Sequence, residues 1–104
     1  MLKIVALVEK RADLSWEEFV EYWDERHVEV ISMLPRLQRY TIAPAIDAEE
    51  APYDGVAELY FESTENIDEA FSEELLAEIR ADEEEFLAEV ETFVAAERTQ
   101  IDRT

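Results

Sequence analysis

"SWEEFVEYWDERHVEVISMLPRLQRYTI", residues 15–42, contains a helix start, a helix face, a stop and the entry to a strand. Ser15 with Glu18 three residues on forms a capping box, in which each side chain satisfies a backbone N–H left free at the helix start. Trp16, Phe19, Val20, Trp23, His27, Val30, Ile31 and Leu34 then recur at three- and four-residue spacing and define one apolar face. Pro35 lies just past the end of that face. "LQRYTIAPAI" (37–46) reads as a strand, with Pro44 implying an edge, a bulge or a stop in pairing.

Outward from this segment the pattern repeats. "LKIVALVEK" (2–10) is a branched-aliphatic strand and "VAELYFE" (56–62) another, the latter entered through the Asp54-Gly55 turn signal that closes the loop 47–55. Residues 63–89 start at a Ser63 or Thr64 cap and carry Ile67, Ala70, Phe71, Leu75, Ile79 and Phe86 as a buried stripe in one or two helical pieces. "VETFVAAE" (90–97) is the last strand. The order β-α-β-β-α-β is the ferredoxin-like, split βαβ pattern: an α+β fold with a four-stranded antiparallel sheet and both helices on one face. The 104 residues suit one domain, 1–104.

The strands are apolar on both sides. Leu2, Ile4, Ala6 and Val8 alternate with Val5 and Leu7, and Ala57, Leu59 and Phe61 alternate with Val56 and Tyr60. Two helices cover only one face of such a sheet, so the other is expected to be buried in a homodimer whose sheets face each other.

Composition narrows the partners. The chain has 28 acidic and 9 basic residues, a net charge of −19, which makes nucleic acid and anionic membrane repulsive partners. Acid spread over every element reads as a solvated surface suited to concentrated salt, where the Debye length falls to about 3 Å at 1 M; an acidic face for a basic partner is the alternative. Without cysteine there is no disulfide framework, thiol nucleophile or cysteine metal site. The N-terminal apolar run is too short to span a membrane and lacks signal-peptide features, so a cytoplasmic location is expected.

His27 is the only histidine. It shares the face that packs on the sheet and admits two readings: a structural imidazole paired with Asp24 or a backbone carbonyl, or a general acid–base group in a helix–sheet cleft. Strand alternation places Tyr40 where a phenol would meet that imidazole, or where its ring simply packs. Tyr22, Trp23, Tyr60 and Phe61 are candidate cleft-lining aromatics. "ADEEEF" (81–86) reads as a solvated charge run. Glycine-loop, His-x-x-His and nucleophile-elbow motifs are lacking, so no metal site or cofactor is expected, and the anticipated ligand is a small molecule.

Taken together, "SWEEFVEYWDERHVEVISMLPRLQRYTI" and "YDGVAELYFES" resemble the signature of the EthD family of dimeric α+β barrels, S-x-E-E-F-x-x-Y-W-x-x-x-H leading to L-P-x-L-x-x-Y. The resemblance implies a homodimer and a cleft for a small, often aromatic or lactone-like compound, with cofactor-independent isomerase, cyclase, lyase or monooxygenase chemistry among related barrels. His27 and Tyr40 match the histidine and tyrosine of isomerase-like members. Their second histidine is missing here, and Tyr53 stands in the loop instead. A non-catalytic ligand-binding or accessory protein, and a haem-binding barrel with His27 as axial ligand, are the competing readings.

Overall fold

The computed structural model describes residues 1–104. Strand β1 (Leu2–Lys10) lies between β3 (Gly55–Phe61) and β4 (Leu87–Ala96), and β2 (Arg39–Pro44) flanks β3, giving one antiparallel sheet in the order β2-β3-β1-β4. After β1 come α1 (Trp16–Tyr22), a π-helical turn (Trp23–His27) and α2 (Val28–Ile31), which run on as one rod. After β3 come α3 (Thr64–Ala70) and α4 (Glu73–Glu84). Each of the two crossovers thus supplies one helical layer, as the β-α-β-β-α-β pattern requires.

The second helical segment takes the two-piece form of its sequence reading but ends earlier than that reading. It breaks at Phe71, and Ser72 caps the new helix by accepting a hydrogen bond from the Leu75 N–H at 3.2 Å. Helix α4 then stops at Glu84, and β4 begins at Leu87 rather than Val90. Phe86 and Leu87 are core residues, and Leu87 pairs with Lys10 across a register shift, so hydrophobic burial and ladder pairing outcompete another helical turn.

Register decides which side chains meet. Ile4, Ala6 and Val8 share the helix-covered face with Tyr40, Ile42, Ala57 and Leu59, and the core of Phe19, Trp23, Ile31, Ile79 and Phe86 packs over them. The opposite face is less apolar than alternation suggested. Val5, Leu7, Val56 and Phe93 form a strip across it, but Lys3 is ion-paired to Glu58 beside them and reaches Glu97 at 3.2 Å. Arg39 lies over the Tyr60 ring at 5.4 Å, which buries that tyrosine on the helix-free side. Phe93 remains 55% exposed.

Candidate active site

The helical rod is aimed at the sheet from its first residue. Ser15 Oγ accepts the Glu18 N–H at 3.1 Å and the Glu18 carboxylate accepts the Ser15 N–H at 2.9 Å, the reciprocal cap read from the sequence. Phe19 and Trp23 pack into the core, and Trp23 lies directly on the chain's single glycine. A Cβ on Gly55 would come within 2.7 Å of the Trp23 ring, so glycine is what allows the indole to settle against β3. In an unbroken α-helix, residues spaced four apart drift by about 40° per step. The wider π turn over Trp23–His27 takes up that drift and keeps Trp23, His27 and Ile31 facing the same cavity.

His27 is 5% exposed, and its partner is Asp82 of α4, not Asp24, which faces solvent. Nδ1 lies 2.6 Å from Asp82 Oδ2, while the Tyr22 hydroxyl donates to Asp82 Oδ1 at 2.7 Å. Phe86 closes the arrangement, with its ring 5.0 Å from Tyr22 and 4.9 Å from the imidazole. Burial pushes the His27 pKa down, and the Asp82 contact opposes it without reversing the direction. A neutral imidazole beside a carboxylate acceptor must donate through Nδ1, which leaves the Nε2 lone pair free. Nε2 has no hydrogen-bond partner in the chain, and His27 is one of the residues that line the adjoining cavity.

That cavity, about 470 Å³, lies between the sheet and the helices. Its walls are apolar, formed by Ile4, Ala57 and Leu59 beneath and Trp23, Ile31 and Ile79 above. Tyr40 also lines it, and its hydroxyl is the only buried side-chain polar atom without a hydrogen bond. The Trp23 indole N–H acts on that oxygen as a donor would, lowering its pKa, but falls outside hydrogen-bond geometry. Burial pushes the Tyr40 pKa up to about 12, so the group stays a phenol, with its ring lining the cavity and its hydroxyl oxygen sealed just beneath the wall. Exposed Arg80 and Thr92 and half-buried Glu83 complete the polar side of the opening.

Of the residues singled out in the sequence, the fold brings His27, Tyr40 and Trp23 together. Tyr22 stands behind the cavity, where it orients Asp82. Tyr60 and Phe61 are neighbours on one strand and so point to opposite faces: Tyr60 to the helix-free side, Phe61 into the core against Phe71 at 6.1 Å. Tyr53 is drawn to the edge of the sheet, its hydroxyl donating to Glu91 at 3.0 Å, and does not line the cavity. Neither Tyr53, Tyr60 nor Phe61 therefore serves the cleft as the sequence reading expected. Asp82, Glu83 and Arg80 were missed inside or beside an apparent solvated charge run. Asp82 follows Leu75 and Ile79 and precedes Phe86 at helical spacing, which marks it as inward-facing. No three His, Cys, Asp or Glu side chains converge in a way that would hold a metal ion.

A ferredoxin-like sheet with a helix-covered apolar cavity defines the class. The EthD domain model matches residues 11–89, and the chain belongs to the EthD family. Among solved structures it is similar to an EthD family protein from Bacillus halodurans, with a TM-score of 0.79 and 19% identity over 94% of this chain and 99% of that one. It is also similar to a dimeric ferredoxin-like protein of unknown function from Thermobifida fusca, with a TM-score of 0.73 and 14% identity over 91% and 89% of the two chains. A third likeness is to SnoaB, a cofactor-independent oxygenase from Streptomyces nogalater, with a TM-score of 0.72 and 11% identity over 98% and 97%. Comparison with curated protein sequences gives no match.

Proposed function

We propose that this chain is a cofactor-independent enzyme that transfers a proton on a small organic carbonyl compound held in the helix–sheet cavity. His27 Nε2 is the base, Asp82 fixes its tautomer and supports the imidazolium that forms, and the Tyr40 hydroxyl donates to the oxygen on which negative charge develops. The observation that carries this reading is that His27, with a partnerless ring nitrogen, and Tyr40, with a partnerless hydroxyl, line one apolar cavity. An orphaned hydroxyl costs stability, and a small shift of the Tyr40 ring toward the cavity would give it a ligand oxygen as partner.

The test is solvent-deuterium exchange next to the carbonyl of 2-tetralone, followed by proton NMR. The chain should accelerate exchange, and His27→Gln should lower the rate by about 10²–10⁴-fold, the usual contribution of a positioned general base. Saturable binding without exchange would instead support a ligand-binding or accessory role. An oxygenase reading is favoured by the likeness to SnoaB, and it separates from proton transfer by oxygen uptake with the same compound.

The working unit is a homodimer joined through the helix-free sheet face. The apolar strip of Val5, Leu7, Val56 and Phe93 supports this, as do neighbours described as dimeric. Sedimentation equilibrium should give a dimer at micromolar concentration; a stable folded monomer contradicts it.

A further inference from the structure

We propose that Glu83 is a second acid–base residue of this cavity, returning a proton to the far end of the delocalised anion that His27 creates, and that the substrate is a neutral β,γ-unsaturated ketone. This rests on the proton-transfer reading of His27 and Tyr40 given above.

The geometry singles out Glu83 among the acidic residues of α4. Glu84 is exposed, whereas Glu83 is half-buried and lines the cavity with Leu76 and Arg80 one turn apart on the same helix face. Its carboxyl accepts no hydrogen bond and makes no ion pair, yet it is not sealed, so it is open to a ligand. Of the carboxylates that act on the Tyr40 hydroxyl from α4 and from the helical rod, Glu83 acts more strongly than Asp24 or Asp82. Burial pushes Glu83 up, with Arg80 opposing and Asp82 adding, while burial pushes His27 down. Two titratable groups in one cavity driven in opposite directions is the arrangement that separates a base from an acid.

Charge and lining set the substrate class. A chain of −19 with the Asp82 carboxylate behind His27 disfavours an anion, and 14 of 18 lining residues are hydrophobic, so the ligand is neutral and largely apolar. The step balances without oxidant or reductant. The C–H bond beside the carbonyl breaks, its proton goes to His27 Nε2, and the electron pair spreads onto the oxygen held by Tyr40. A new C–H bond forms at the γ carbon with the proton of Glu83 as the double bond moves into conjugation. The proton on the imidazolium returns to the Glu83 carboxylate through solvent, which resets the site.

The experiment uses cyclohex-3-en-1-one in deuterated buffer, with proton NMR following exchange beside the carbonyl and formation of cyclohex-2-en-1-one. The wild-type chain should do both above background. Glu83→Gln keeps side-chain volume; it should lower the ratio of conjugated product to exchange by about 10²-fold, while His27→Gln loses both. Conjugation by Glu83→Gln at the wild-type rate, or exchange without conjugation by the wild type, overturns the role of Glu83. A wild-type chain that does neither overturns the underlying proton-transfer reading, and this proposal with it.

Discussion

Tyr40 and His27 line one cavity but are buried in different ways, and their substitutions should separate function from stability. The Tyr40 hydroxyl is buried without a partner, so Tyr40→Phe should leave the melting temperature unchanged or raise it, removing an unsatisfied group worth about 1–3 kcal/mol at most. The same change should cost proton transfer about 10²–10³-fold, as for loss of an oxyanion donor. His27 adds a pH dependence of known sign. Burial holds its folded pKa below the ordinary 6.5, so the unfolded chain takes up the proton first. The stability it contributes is therefore full above pH 6.5 and is lost as pH falls through the folded value. Urea melts between pH 7 and 5 should show a steeper loss for wild type than for His27→Gln; equal slopes would contradict the burial account. At this scale His27 and Tyr40 were legible because helix spacing and strand alternation point each toward the sheet. Asp82 was not, because its neighbours Glu83, Glu84 and Glu85 make the run look solvated, and only its phase with Ile79 and Phe86 marks it.

The helical rod depends on two local devices, its cap and its glycine seat. Ser15→Ala removes one half of the capping box and should destabilise the fold by about 1 kcal/mol without altering the cavity, checked by chemical denaturation. Gly55→Ala is different in kind, since its Cβ would press on both the Trp23 ring and the Ala43 carbonyl oxygen at 2.9 Å. It should cost about 1–3 kcal/mol and disturb the near-ultraviolet signal of Trp23. An Ala variant as stable as wild type would show that the indole does not rest there. The cap, the stripe and Pro35 were plain in the sequence. The π turn was not, because the same three- and four-residue spacing is compatible with an unbroken α-helix. The early start of β4 was hidden for a related reason: Phe86 and Leu87 fit a helix stripe, and only pairing to β1 shows that Leu87 belongs to the sheet.

Across the whole molecule, the dominant features are its acidity and its helix-free sheet face. Only five carboxylates have a cationic or imidazole partner, and the 28 acidic residues otherwise repel one another. Melting temperature should therefore climb from low to molar salt, and a flat profile would contradict self-repulsion as a main opponent of the fold. The element order and the antiparallel sheet followed from the sequence pattern, whereas the Lys3–Glu58 pair on the open face did not, because register between β1 and β3 decides which charges meet. The single histidine makes the central claim directly observable, since the protein has one imidazole signal set. Nitrogen-15 NMR of His27 across pH should show a neutral ring at pH 7, protonated on Nδ1 with an unprotonated Nε2, and a midpoint below 6.5. An Nε2-protonated tautomer, or an imidazolium at pH 7, would contradict His27 as the base of this cavity.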